Sequence, residues 1–307
     1  MTKRTMKSAE QDFTIPPIPG FPSTSRYVAL GPVMEAVSRV ARSVLAREAI
    51  SLIIGPPGTG KSLVCALLGK QFADSHRVLM LGETGISNEA ALHRMLLRRM
   101  GVALSDDSFQ DLETLLIESL MSETQVGTWL IIIDEAAALS IEVLEAVRRI
   151  TNLMRDGQPI VSAVLAGNAK LDETLTAPLL ESFVQRVAAR CYLHPLNFDE
   201  TRQYIRDSIA VCDASPDETI ADSAISAIHH AAGGIPRLIN QLMTEAIDCA
   251  ADLGETLIAD HTVDRAWASL QQLPGPIVDE PKIEMESSSI EFGELSETLP
   301  MAQAKPT

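Results

Sequence analysis

A chain of 307 residues, 46% hydrophobic and 21% charged, has the make-up of a globular protein with one sizeable domain and a smaller one. Its net charge of −16 excludes a broadly basic surface for nucleic acid or anionic membrane unless basic residues gather locally, and 4% aromatics leave the core to aliphatic side chains. The opening MTKRTMKSAEQDF has no apolar stretch behind its charges, and no run approaches the ~20 apolar residues that span a bilayer, so a cytoplasmic protein without signal peptide or membrane helix is expected.

Residues 1–20 end in IPPIPG, too rich in proline for a helix or central strand, and read as a flexible arm. ALGPVMEAVSRVARSVLA then has apolar positions at helical spacing. The short apolar run Ala49–Ile54 predicts a buried strand, and Leu63–Ala73 the helix after the intervening loop. RVLMLGE reads as a second strand, followed by amphipathic helices at Glu89–Met100 and Ser108–Gln125. TWLIIIDE is apolar enough to be buried on both faces, as in a parallel sheet. A helix over Ser140–Met154, PIVSAVLAGN as a fourth strand and RVAARCYLHPL as a fifth complete the alternation. Strands separated by helices predict an α/β fold, a doubly wound parallel five-stranded sheet over residues 21–196.

Beyond Leu196 only helical patterns remain. NFDETRQYIRDSIAVC opens on Asn197 with Glu200 three residues on, a capping pair. SPDETIADSAISAIHHAA has Pro216 in its first turn, and IPRLINQLMTEAIDCAADL and ADHTVDRAWASLQQL follow. About four helices therefore form a small lid domain over residues 197–273. From Pro274 seven acidic residues face two lysines and periodicity vanishes, predicting a disordered acidic tail over 274–307. Its SSSIEFGELSETL stretch reads as a solubilising segment before a docking peptide. Cysteines 65, 191, 212 and 249 lack metal or redox spacing and read as reduced core thiols.

Gly55-Pro56-Pro57-Gly58-Thr59-Gly60-Lys61-Ser62 fits the phosphate-binding loop, with a strand before it and a helix after. Its glycines let the backbone wrap phosphate oxygens, and its N–H groups and the helix that Leu63 opens face the anion. Lys61 then reaches the β- and γ-phosphates of ATP and Ser62 binds Mg2+. Asp134 ends the most apolar strand, where a carboxylate can hold that ion, and Glu135 beside it suits activation of water. Asn168 at the tip of the fourth strand can orient the water or simply form a turn. Arg186 and Arg190 lie before and within the fifth strand, suited to a neighbouring subunit's phosphate. Arg237 sits in the first turn of a helix, where a cation is disfavoured by roughly 0.3–1 kcal/mol unless it meets an anion.

With these pieces in this order, the chain resembles the AAA+ ATPases from about Phe21 to Leu270. Within them LEAVRRITNLMRDG, VQRVAARCYLHPLNFDETRQYI and GGIPRLINQLMTEAI are most similar to the ExeA/GspA-type secretion ATPases and the TniB/TnsC-type transposition regulators. The resemblance implies roles in ATP binding and hydrolysis for Lys61, Asp134, Glu135, Asn168, Arg186 and Arg237. It also implies a homo-oligomer with nucleotide between subunits and an unidentified protein partner, in a secretion, pilus or polysaccharide-export system. ExeA-like proteins usually carry Gln-Asn where this chain has Ala137 and Ala138, and Gly-Gln-Pro where it has Gly167-Asn168-Ala169. The alternative is an ATP-dependent DNA-binding regulator. HRMLLRRM puts Arg94, Arg98 and Arg99 near one helical face, with Lys3, Arg4 and Lys7 in the arm, and the net charge disfavours it. A scaffold whose nucleotide only sets the oligomeric state is a third reading.

Overall fold

The computed structural model describes residues 27–82, 85–104, 111–122 and 127–271; the expected arm and acidic tail lie outside them. Helix α1 (Gly31–Leu45) leads into strand β1 (Ile50–Ile54), helix α2 (Lys61–Phe72), strand β2 (His76–Leu81) and helices α3 (Glu89–Arg99) and α4 (Leu112–Met121). Then come β3 (Thr128–Ile133), α5 (Ile141–Ile150), the short strands β4 (Met154–Arg155) and β5 (Gln158–Pro159), and β6 (Val161–Gly167). The small helices α6 (Ala169–Thr174) and α7 (Glu181–Val184) precede β7 (Val187–Tyr192). Helices α8 (Phe198–Ala210), α9 (Pro216–Thr219), α10 (Asp222–Ala232), α11 (Pro236–Leu253) and α12 (Asp260–Leu270) follow among the described residues.

The main sheet is parallel with strand order β2-β3-β6-β1-β7, the five-stranded arrangement expected from the alternation of strands and helices. Alternate residues of each strand feed two apolar layers. Ile53, Ile132, Val164 and Cys191 join α1, α2 and the C-terminal helices. Leu52, Ile131, Ile133 and Leu165 join α3 to α7. Each fully buried aliphatic side chain contributes about 1.5–3 kcal/mol. Three cysteines are buried and Cys212 is half-buried, all with free thiols, and burial pushes the Cys65 thiol well above its ordinary pKa.

Two local readings are corrected. The helix expected over Ser140–Met154 stops at Ile150, and Met154–Pro159 folds into an antiparallel hairpin. Asp156 and Gly157 at its turn have φ of 50° and 75°, as a two-residue Asp-Gly turn requires. The segment SPDETIADSAISAIHHAA is two helices, not one. Ile220 leaves α9 in an extended conformation, is buried, and forms a parallel bridge with Ile258 that pulls the chain out of helix. The C-terminal region thus holds five helices among the described residues rather than about four, and the helix expected over Ser108–Gln125 is described as Leu112–Met121.

The helical region is welded to the sheet at one turn. Leu196 donates its N–H to the Gly234 carbonyl at 2.8 Å. Gly234 has φ of 70°, and a Cβ there would lie 2.0 Å from the Leu196 carbonyl oxygen. Gly234→Ala is therefore expected to destabilise the fold by about 2–4 kcal/mol, from left-handed strain plus a backbone clash. Denaturant unfolding checks this; a change under about 0.5 kcal/mol contradicts it.

Candidate functional site

Three strand ends meet at the carboxyl edge of the sheet, and the sequence places its polar residues there. Beyond Ile54, Gly55 donates to the Gly167 carbonyl at 3.1 Å, tying the phosphate loop to the tip of β6. Thr59 Oγ1 donates to the Pro56 carbonyl at 2.9 Å and shapes the turn. Gly58 and Gly60 have φ of 84° and 104°, and Gly60 caps α2 without any side-chain acceptor. By contrast, Asn88 and Asp111 cap α3 and α4 with side-chain oxygens. The first-turn N–H groups of α2 are thus left for an external anion, where the helix dipole favours negative charge.

Lys61 is buried, and its ammonium donates to the Gly55 and Pro56 carbonyls, each at 2.9 Å. Burial lowers its pKa below the ordinary lysine value; Glu135 and Asp134 act to raise it and Arg237 to lower it. One cation thus feels both acids and the arginine. Ser62 and Leu63 follow in the first turn of α2, both half-buried.

Asp134 continues β3, its N–H donating to the Leu81 carbonyl at 2.8 Å. Its Oδ1 accepts the Glu135 N–H at 2.9 Å. Glu135 has φ of 55°, rare for a residue with a side chain, and is exposed. Such strain, about 1–3 kcal/mol, gathers where geometry serves function. A cleft of about 210 Å³ opens beside the pair, lined by Gly85, Ile86 and Ser87. Asn168 stands at the tip of β6, the strand between β3 and β1, and so between the acidic pair and the phosphate loop. Its side chain accepts the Lys170 N–H at 2.9 Å and caps α6, the turn-forming role expected of it.

Arg237 reaches this edge from the helical region. Its N–H donates to the Gly58 carbonyl at 3.3 Å. A Cβ on Gly58 would lie 2.8 Å from Ile235 Cγ2 and 3.0 Å from Arg237 Cβ, so the start of α11 rests directly on the loop. The arginine is exposed and makes no ion pair among the described residues.

Arg186 is elsewhere. Val187 pairs with Ile50 at the start of β1, about 13 Å down the strand from the loop that follows Ile54. Arg186 is exposed there and makes no ion pair among the described residues. Arg190, within β7, is engaged by Asp172 at 3.1 Å. Asp172 and Tyr192 were not singled out from sequence; their hydrogen bond at 3.0 Å spans 20 residues and has no local signature.

The residues fit a nucleotide with its metal. Among the described residues no cluster of three or more His, Cys, Asp or Glu forms a metal cage. A magnesium ion held by one carboxylate, one hydroxyl and substrate phosphates needs none. No helix among the described residues is long and apolar enough to cross a membrane.

Residues 45–175 match the family of the AAA domain. The chain is 28% identical over 216 residues to General secretion pathway protein A of Aeromonas hydrophila, covering 70% of this chain and 39% of that protein. Among solved structures, Cdc6p of Pyrobaculum aerophilum aligns with a TM-score of 0.64 at 16% identity, over 82% of this chain and 70% of its own. The Aeropyrum pernix ORC1 protein in complex with DNA aligns at 0.62 and 16%, over 82% and 69%. The Thermotoga maritima RuvB Holliday junction branch migration motor aligns at 0.53 and 16%, over 85% and 75%. Sheet order, phosphate loop and matched domain together make residues 45–175 similar to the AAA domain, and the chain similar to General secretion pathway protein A.

Proposed function

We propose that the chain binds and hydrolyses ATP and acts as an oligomeric nucleotide switch that assembles or remodels a protein partner on the cytoplasmic side of an envelope system. Gly55 to Leu63 hold the phosphates through backbone N–H groups, with the Lys61 ammonium turning from its loop carbonyls to the β- and γ-oxygens. Ser62 and Asp134 would hold a magnesium ion, which would supply charge neutralisation at those oxygens. Glu135 takes a proton from water as its oxygen attacks the γ-phosphorus, the bond to the β-phosphate oxygen breaks, and ADP and phosphate leave. Asn168 orients that water.

The observation that carries the reading is the seat of Arg237 on the phosphate loop. A lid cation resting there changes its contacts when the γ-phosphate arrives or departs, so hydrolysis alters the angle of the helical region. Arg186, at the far end of the sheet, supplies charge stabilisation to a neighbour's nucleotide. A secretion, pilus or polysaccharide-export partner follows only from the similarity to General secretion pathway protein A, of which the chain spans 39%. With magnesium, the purified chain should release phosphate from ATP and scatter light as a larger particle in ATP than in ADP. Absence of both effects defeats the reading.

ATP-dependent DNA binding is the second reading. Its support is Arg94 and Arg98, both exposed one turn apart on α3. The net charge of −16 opposes it. In a gel-shift titration at low salt, no ATP-stimulated retardation of duplex DNA is expected; a shift that ATP strengthens tenfold would favour this reading instead.

A further inference from the structure

We propose that Asp172 is a positioning residue. It ties the helix capped by Asn168 to the strand that leads into the lid turn, so that the water-orienting amide and the lid arginine answer to the same nucleotide. This rests on the ATPase reading above.

Helix α6 has only six residues, too few to hold its own geometry in water. Two neighbouring side chains fix it instead. Leu171 is buried against the tip of β6, where a Cβ on Gly167 would lie 2.9 Å from Leu171 Cδ2. Asp172 points about 100° around the helix from Leu171 and grips a second element. Its Oδ1 accepts from Arg190 Nη1 at 3.1 Å and its Oδ2 from the Tyr192 hydroxyl at 3.0 Å. Arg190 and Tyr192 are two residues apart on β7, so they share one face of the strand and present a two-pronged seat. One anchor alone leaves α6 free to roll about Leu171; two on different sides stop the roll, and with it the swing of Asn168 at the helix start.

The same strand continues to the lid. Leu193 donates to the Ile54 carbonyl at 2.7 Å, just ahead of the phosphate loop. Leu196 donates to Gly234, and Arg237 to Gly58. Asp172 thus closes a circuit of contacts from Asn168 through β7 and the lid turn back to the loop. Half-exposed ion pairs add little to stability. Orientation of α6 is therefore what these two contacts supply.

The test compares Asp172→Ala, Asp172→Asn and Asp172→Glu with the unaltered full chain. In the nucleotide-free protein, hydrogen exchange of the α6 amides should rise about fivefold or more in Asp172→Ala while global unfolding stays put. Turnover should fall about 5–20-fold with KM for ATP within about twofold, as expected of a misplaced group and not of lost binding. Asp172→Glu should recover part of the rate. In the Asn168→Ala background, removing Asp172 should cost less than about twofold, because the amide it positions is gone. Unchanged α6 exchange overturns the tether. A working ATPase in which Asp172→Ala keeps its rate, loses rate and affinity together, or multiplies with Asn168→Ala overturns the positioning role. A chain that tethers α6 but hydrolyses no ATP defeats the ATPase reading and the positioning role with it.

Discussion

Glu135→Gln is expected to bind ATP about as tightly as the unaltered chain while hydrolysing it about 10²–10⁴-fold more slowly, the usual worth of a general base. Glutamine has the length of glutamate and can still accept a hydrogen bond, but it cannot take the proton of the attacking water. Nothing that holds the nucleotide is lost. Lys61 is placed by loop carbonyls, the first turn of α2 is uncapped, and Arg237 rests on Gly58. Glu135 is exposed at the head of a left-handed turn, and its backbone N–H is already fixed by Asp134 Oδ1 at 2.9 Å, so the side-chain exchange leaves the turn intact. Removing one negative charge near Lys61 removes the raising influence of Glu135 and so shifts that lysine's pKa lower. Calorimetric titration and phosphate release together check the prediction. Equal turnover in both proteins removes Glu135 from the chemistry; lost binding reassigns it to the metal.

Asp134→Asn should behave differently, losing affinity for magnesium-bound ATP as well as rate. The contrast between adjacent acids is visible in their surroundings. Asp134 is half-buried and hydrogen-bonded at the strand end, whereas Glu135 is turned away by a positive φ that sequence alone does not announce.

The phosphate loop and the Asp-Glu strand end were legible because their chemistry is local: glycines, one lysine and a serine within eight residues, and an apolar run ending in two acids. The sheet was legible because a strand buried on both faces leaves an unbroken apolar run in sequence. The hairpin at Asp156-Gly157 had a signal, the Asp-Gly pair, which the helical periodicity before it masked. The break at Ile220 had none, since its cause is a bridge to Ile258, 38 residues away. In sequence Arg186, just before the fifth strand, and Arg190, within it, were both candidates for acting on a neighbour, Arg186 the first of them. Their separation needed the β1–β7 register, which puts Arg186 at the far end of the sheet, and the α6–β7 contact, which occupies Arg190. Asp172 was invisible for the same reason: its partners are close in space and distant in sequence.

Mixing Arg186→Ala with Glu135→Gln, each nearly inactive alone, is expected to restore turnover. The register puts Arg186 about 13 Å along the sheet from its own phosphate loop, too far for a guanidinium to reach its own γ-phosphate. An arginine that stabilises transferred phosphoryl charge is worth about 10³-fold or more, so Arg186→Ala alone should lose about that factor while still binding ATP. In a head-to-tail assembly each site takes its loop and Glu135 from one subunit and Arg186 from the next. Where an Arg186→Ala subunit supplies the loop and a Glu135→Gln subunit supplies the arginine, every catalytic part is present. Random assembly of equal amounts makes about one quarter of the interfaces complete, so the mixture should recover about that share of the unaltered rate. An arginine acting on its own subunit's nucleotide gives no such gain, because neither variant then holds a complete site. Arg190→Ala is the control. It removes one of the two partners of Asp172 and should lower the rate, yet its loss should not be complemented by Glu135→Gln, since the contact it breaks lies within one chain. Recovery with Arg186→Ala and none with Arg190→Ala would place the ATP site between subunits.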